Sequence, residues 1–236
     1  MKTRRLLPGF TFAALALLAP PLLAAAPAAV PPLPLQSAPP ADAVILWNGR
    51  DISGWTVFLK DSSVDPNTVW SARDGVLNLT GQPFGYLRSK QAYSSYYLHV
   101  EWRYPANAPA TANSGVFIHV HDENAIWPSG IECQLRTGEA GMLIATNVDI
   151  PSAPLINKKK RASAMAPKAE KPFGQWNAYD IFCRGSTVDV YVNGVLENHA
   201  ENITYASGST DLSGSIALQL EGTLIQFRNV WLEPLK

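Results

Sequence analysis

Asn113-Ser-Gly-Val-Phe-Ile-His-Val-His121 and Gly130-Ile-Glu-Cys-Gln-Leu-Arg136 are the two stretches whose reading decides the fold. Extended backbone sends successive side chains to opposite faces, so Gly115, Phe117, His119 and His121 fall on one face and Val116, Ile118 and Val120 on the other. In the second run, Glu132, Gln134 and Arg136 alternate against Ile131, Cys133 and Leu135. Each run reads as a strand with an apolar side for a core and a polar side for water or a ligand. Imidazoles, a carboxylate and an amide on consecutive strands favour the ligand.

Outward from these runs, strand patterns recur at 75–80, 96–104, 176–184, 188–192, 215–220 and 226–232, and no long stretch holds a helical period. Val192-Asn193-Gly194-Val195 is a two-residue hairpin signal, because a type I′ turn needs positive φ at both central positions, and Asp74-Gly75 is a second candidate. Many short antiparallel strands predict an all-β chain folded as a two-sheet, jelly-roll-like sandwich, with a closed barrel as the main alternative. The segment Asn147–Pro172 carries four prolines around Lys158-Lys159-Lys160-Arg161 and reads as a long irregular loop with a solvated charge run.

At 236 residues, 47% hydrophobic and 16% charged, the chain fits one domain with a sizeable core. Its 19 basic and 19 acidic residues cancel, so long-range attraction to nucleic acid or anionic lipid is not expected. Lys2, Arg4 and Arg5 precede an apolar run from Phe10 to Leu23 and the small-residue site Ala26-Pro27-Ala28, which predicts an export signal over 1–28. The apolar run is short and broken by Pro20 and Pro21, which argues against a membrane anchor. Thr3-Arg4-Arg5-Leu6-Leu7 resembles a twin-arginine signal. The mature protein is then periplasmic or secreted, with an Ala/Pro-rich tether over 29–42 and a single domain over 43–236. Cys133 and Cys183 sit in apolar strand patterns and read as two buried free thiols.

Four blocks, Leu46-Trp-Asn-Gly-Arg-Asp-Ile-Ser-Gly-Trp55, Asn113-Ser-Gly-Val-Phe117, Gly174-Gln-Trp-Asn177 and Val192-Asn-Gly194, resemble in order a family catalogued as domain of unknown function 1080 and described as 3-keto-disaccharide hydrolases. Gly130-Ile-Glu-Cys-Gln134, Gly214–Gly222 and Ile225–Val230 are similar to further blocks of that family. The resemblance spans Val44 to Leu235 and implies a concanavalin-like β-sandwich. The chain departs from the family at His119, where arginine is common, at Glu221, where histidine is common, and across Gly138–Asn147.

The resemblance implies cleavage of a glycoside whose sugar has already been oxidised to a ketone at C3, and hence an upstream sugar 3-oxidoreductase. A C3 ketone acidifies the C2 proton, and the enolate expels the glycosidic oxygen from C1; water then adds to the enone. Such a site needs a base near C2, stabilisation of the enolate and a proton donor for the leaving group, not the two opposed carboxylates of an ordinary glycosidase. Glu132 is the first candidate for base or acid, its alternative being a surface carboxylate paired with Arg103 or Arg136. Asn113 and Gln134 fix sugar hydroxyls or satisfy local backbone. His119 and His121 lie about 6.8 Å apart along one face, close enough to act as acid and donor or, with Glu132, to hold a divalent metal. Glu101 and Arg103 join the polar face or pair with charges on neighbouring strands. Trp127 stacks on a sugar ring or plugs the sandwich edge, and Gln219 shares its face with Glu221 as a floor residue. The rival to an enzyme is a non-catalytic carbohydrate-binding sandwich, which needs no acid–base pair.

Overall fold

The computed structural model describes residues 38–121, 125–151, 155–156, 159–162 and 169–235. The expected leader and most of the tether lie outside these residues, as does Lys158. Strands are numbered along the chain and fall into two eight-stranded antiparallel sheets and one short pair.

The back sheet runs β15 (Val195–Ala200), β14 (Thr187–Val192), β13 (Asn177–Arg184), β6 (Tyr96–Arg103), β18 (Ile225–Pro234), β4 (Val76–Leu79) and β3 (Trp70–Arg73), with β1 (Val44–Ile45) paired to β18. The front sheet runs β11 (Leu155–Ile156), β12 (Lys159–Ala162), β9 (Leu143–Thr146), β8 (Gly130–Gln134), β7 (Gly115–Val120), β17 (Ser215–Leu220), β5 (Gly85–Ser89) and β2 (Trp55–Leu59). The pair is β10 (Val148–Asp149) with β16 (Thr204–Tyr205). Two distinct sheets make this an all-β sandwich and not a closed barrel.

Both hairpin signals form as the residues dictate. Asp74 and Gly75 adopt φ of 52° and 77°, and Asn193 and Gly194 adopt 50° and 83°, closing the β3–β4 and β14–β15 ladders respectively. The core lies where the apolar alternates of the two sheets meet: Leu98, Val100 and Trp102 of β6 and Tyr179 and Ile181 of β13 join one buried cluster with Val116, Ile118, Ile131 and Cys133 of the front sheet. Truncating a ring such as Trp102 to alanine costs about 3–5 kcal/mol in a core of this kind. Cys133 and Cys183 are both buried and free, and burial raises both thiols, Cys183 to about 12.

Two tyrosines cross from the back sheet and fix the end of β8. The Tyr179 hydroxyl donates to the Gln134 carbonyl and accepts from the Gly141 amide at 2.7 Å, while the Tyr104 hydroxyl donates to the Leu135 carbonyl at 3.1 Å. Burial is the first cause of the raised pKa of each phenol, so both stay protonated and keep donating.

The segment read as an irregular loop contains strands. β12 pairs with β9 through Lys160↔Ala145, Arg161↔Ile144 and Ala162↔Leu143. Its composition hides it, because a Lys/Arg run carries no alternation of hydrophobicity and reports nothing about backbone pairing.

Candidate active site

The register of the front sheet arranges its outward side chains in rows across the strands. Gln134 faces Gly115 on β7, and Gln219 faces Tyr86, which faces Phe58 on β2. In the next row Glu132 faces Phe117, Phe117 faces Ala217, and Ala217 faces Arg88. Phe58, Tyr86, Phe117, Val120 and Ala217 form an apolar patch separate from the main core, with Phe58 stacked on Tyr86 at 5.0 Å. Glu132, Gln134 and Gln219 sit beside this patch and are 5%, 5% and 2% exposed, so their polar groups are held away from bulk water.

Gly115 lets two polar side chains close over the centre of β7. A Cβ there would lie 2.8 Å from Glu132 Cγ, 2.9 Å from Glu132 Oε1 and 3.0 Å from Gln219 Oε1. The carboxylate and the amide oxygen therefore face each other across a missing side chain. Gln219 Oε1 is buried and has no hydrogen-bond donor among the described residues, so its accepting capacity is unspent there. The Gln219 strand is fixed by Ser114, whose hydroxyl donates to the Gln219 carbonyl at 2.8 Å. Gln134 spends its amide oxygen locally, accepting the Arg136 amide at 2.8 Å. Asn113, just before β7, has a buried Oδ1 with no hydrogen-bond partner among the described residues.

The imidazoles depart from the expected face. His119 has φ of 56°, and the ladder between β7 and β17 slips between Ser215 and Ala217. This bulge inserts a residue and reverses the alternation, so Val120 joins the outer patch with Phe117 while His119 turns inward, fully buried, with its ring 5.9 Å from Tyr96 of β6. Burial is the first cause that pulls His119 down to about 4; a contact to the Leu212 backbone opposes it, and His121 adds to the fall. His121 stays exposed at the strand end, edge-on to Tyr205 at 4.4 Å. His119, His121 and Glu132 thus occupy three environments, and among the described residues no three His, Cys, Asp or Glu side chains are placed to share a metal. The residues do not fit the divalent ion the sequence suggested.

Glu101 and Arg103 also lie elsewhere, on the outer face of the back sheet. Glu101 accepts from Arg228 Nε at 2.6 Å and Asn229 Nδ2 at 2.7 Å, and Arg103 Nε donates to Gln226 Oε1 at 2.6 Å. Glu101↔Arg228 and Arg103↔Gln226 are register partners, so these residues make the cross-strand pairs that were the alternative to a substrate role. Trp127 is 39% exposed in the loop joining β7 to β8.

Sequence reasoning passed over Tyr86, Arg88 and the convergence at Gly115. The run Gly85-Tyr-Leu-Arg-Ser89 does alternate, and reading it with period two would have placed Tyr86 and Arg88 opposite Leu87. The convergence has no such signal, since it depends on residues from three strands.

Among solved structures the chain is similar to a candidate glycosyl hydrolase from Parabacteroides distasonis, with 18% identity, a TM-score of 0.60 and coverage of 83% of this chain and 94% of that one. It is also similar to the β-glucanase of Bacillus licheniformis (15% identity, TM-score 0.55, 85% and 100% covered) and to a carbohydrate-binding module from Bacillus subtilis (10%, 0.53, 78% and 95%). These likenesses show the jelly-roll sandwich alone, since catalytic and purely binding proteins share it. No curated protein matches the sequence. Residues 42–233 match the model of one family, and by that match the chain belongs to the 3-keto-α-glucoside-1,2-lyase-like domains, a carbohydrate-active family.

Proposed function

We propose that this protein is an enzyme that cleaves the glycosidic bond of 3-keto-glycosides by elimination followed by hydration. The observation that carries the proposal is the convergence over Gly115, where the buried Glu132 carboxylate and the buried Gln219 amide oxygen, the latter without a hydrogen-bond partner among the described residues, come together on the outer face of the front sheet. Glu132 is the base, a carboxylate 5% exposed on the polar face of the front sheet. It takes the C2 proton, the C1–O bond breaks as the electrons pass through the enolate, and the proton held by Glu132 passes to the departing alkoxide, which leaves as an alcohol. Water then adds its hydroxyl at C1 and its remaining proton goes to C2, so the sum is hydrolysis. Gln219 and Asn113 accept hydrogen bonds from sugar hydroxyls. Arg88 is the cation in the row of Glu132 and opposes the negative charge that develops on the keto oxygen.

The alternative is a non-catalytic carbohydrate-binding module on the same sandwich. Such a module uses aromatics and amides and has no use for a carboxylate held out of water, which favours the enzyme. The C3 ketone has to be made first, so an upstream sugar 3-oxidoreductase is part of the proposal, as is export of the protein to the periplasm or beyond. The test is incubation with a 3-keto-glucoside and with its unoxidised parent while following absorbance of the conjugated enone. Cleavage of the keto compound alone, with a transient enone, is expected. Cleavage of the parent alone overturns the mechanism, and binding of both without turnover favours the module.

A further inference from the structure

Gln134 is an amide whose orientation its partner dictates. The Arg136 backbone N–H can only donate, so the side-chain atom it meets at 2.8 Å is the oxygen. Nε2, with its two N–H groups, is the end of the side chain left free of that bond. The backbone of Gln134 is held on both sides: its N–H donates to the Met142 carbonyl at 2.9 Å, and its carbonyl takes the Tyr179 hydroxyl. The donor is therefore fixed in place before any ligand arrives. Its register partner on β7 is Gly115, so that position offers no side chain to compete for the N–H groups. At 5% exposure the residue sits where few waters reach, and a hydrogen bond made there is stronger than the same bond in solution.

Glu132 lies two residues earlier on the same strand and the same face. Its carboxylate leans toward the row of Gln134: Oε1 is 2.9 Å from the Cβ position of Gly115, and that position is about 5 Å from the Cβ of its register partner Gln134. Base and donor are thus neighbours. The chemistry calls for this pairing, because removal of the C2 proton sends the electron pair onto the oxygen of the adjoining carbon, and charge collects one atom away from where the base works. Arg88 stands three strand spacings from β8, about 14 Å between strand axes, and acts on that charge from across the site.

We infer that Gln134 is a second catalytic residue, whose Nε2 donates a hydrogen bond to the keto oxygen of the substrate and holds that oxygen as it becomes an enolate. The assignment rests on the proposed cleavage at Glu132 and adds the donor that stabilises the charge Glu132 creates. No proton moves at Gln134. The C2 proton goes to Glu132, the electron pair goes to the oxygen, and the bond from Nε2 strengthens as the negative charge grows. In the unoxidised parent the same position carries a hydroxyl on a tetrahedral carbon, where no enolate forms, so the donor gives its reaction no advantage.

The experiment measures kcat and KM for methyl 3-keto-glucoside across pH, and calorimetric binding of its unoxidised parent, in the full chain and two variants. Gln134→Glu keeps an oxygen for the Arg136 N–H and loses the donor, whereas Gln134→Met loses the donor without adding charge. In both, kcat is expected to fall about 10²–10³-fold, with KM and the Kd of the parent within about threefold of the wild type. A kcat within threefold of the wild type in either variant overturns the role and leaves the cleavage standing. So does a loss in Gln134→Glu that disappears as the pH is raised, because a new carboxylate that only raises the pKa of Glu132 spares the rate once Glu132 is ionised. Binding of the parent that weakens in step with kcat makes Gln134 a residue of ground-state binding and likewise overturns the role. A wild-type protein inert on the keto substrate overturns the cleavage reading and this role with it.

Discussion

The two outer faces of the sandwich carry the same kinds of residues and use them in opposite ways. On the back sheet, the Tyr97 hydroxyl donates to Asp180 Oδ1 at 2.7 Å, His99 Nδ1 meets the same oxygen at 2.7 Å, and Glu101 receives Arg228 and Asn229. The Trp176 ring lies under the guanidinium groups of both Arg228, at 4.1 Å, and Arg103, at 4.5 Å, and His99 stacks on Trp231 at 5.0 Å. Charge there is consumed by charge. On the front sheet, Glu132 and Gln219 converge on a glycine. Strand alternation delivers polar groups to both faces; on the front face two of them close over a glycine, and on the back face they bind one another.

Glu132→Gln should break the comparison hardest. If Glu132 moves the C2 proton, kcat toward a 3-keto-glucoside falls about 10²–10⁴-fold while calorimetric binding of the sugar persists, and an unchanged rate of leaving-group release rejects the role. Asp180→Ala on the opposite face should do the reverse. It strips the shared acceptor from Tyr97 and His99, so a urea titration should show a loss of about 3–5 kcal/mol with kcat retained in the folded fraction. Gly115→Ala tests the convergence directly. The added methyl collides with Glu132 and Gln219, and since displacement of a catalytic group by about 1 Å costs up to about 10²-fold, turnover should drop ten- to a hundredfold. A variant as active as the parent would show that the close approach of the two groups is not used.

The same contrast shows what could be read in the sequence. Strands and hairpins were legible because alternation and Asn-Gly or Asp-Gly turns are local signals, and so was the outward placement of Glu132, Gln134 and Gln219. His119 was not, because one residue in the left-handed region resets the phase of every later side chain, and nothing in Phe-Ile-His-Val announces a bulge. For Glu101 and Arg103 the sequence left open the polar face of the site or cross-strand pairing, and the structure shows the pairing. Alternation assigns a residue to a face of its own strand but does not say which sheet the strand joins, and β6 lies in the back sheet. Their partners, Arg228 for Glu101 and Gln226 for Arg103, lie on β18 and become visible only through the register.

The smallest effect is a pH dependence in which two buried histidines pull in opposite directions. Burial lowers the affinity of His99 for a proton, but the hydrogen bonds to Asp180 and Glu101 outweigh it and the pKa ends raised; for His119 burial prevails and the pKa falls to about 4. In the unfolded chain both titrate near 6.5. Stability from His99 is therefore complete below about 6.5 and is lost as pH rises through its higher folded value, whereas stability from His119 is present above about 6.5 and is lost as pH falls toward 4. The His119 limb amounts to about 1 kcal/mol between pH 6.5 and 5.5. His199, beside Asp189 and Glu201, adds to the alkaline limb, weakly because its side chain is 44% exposed. Glu101, where burial raises and the bonds from His99, Asn229 and Arg228 more than reverse it to about 2, contributes above about 4.5 and fails only in stronger acid. Urea midpoints from pH 5 to 8.5 should thus peak near neutrality. His119→Asn, which suits the left-handed backbone, should flatten the acid limb, and His99→Gln the alkaline limb. If the two variants share one profile, the histidines do not differ in the way their surroundings require.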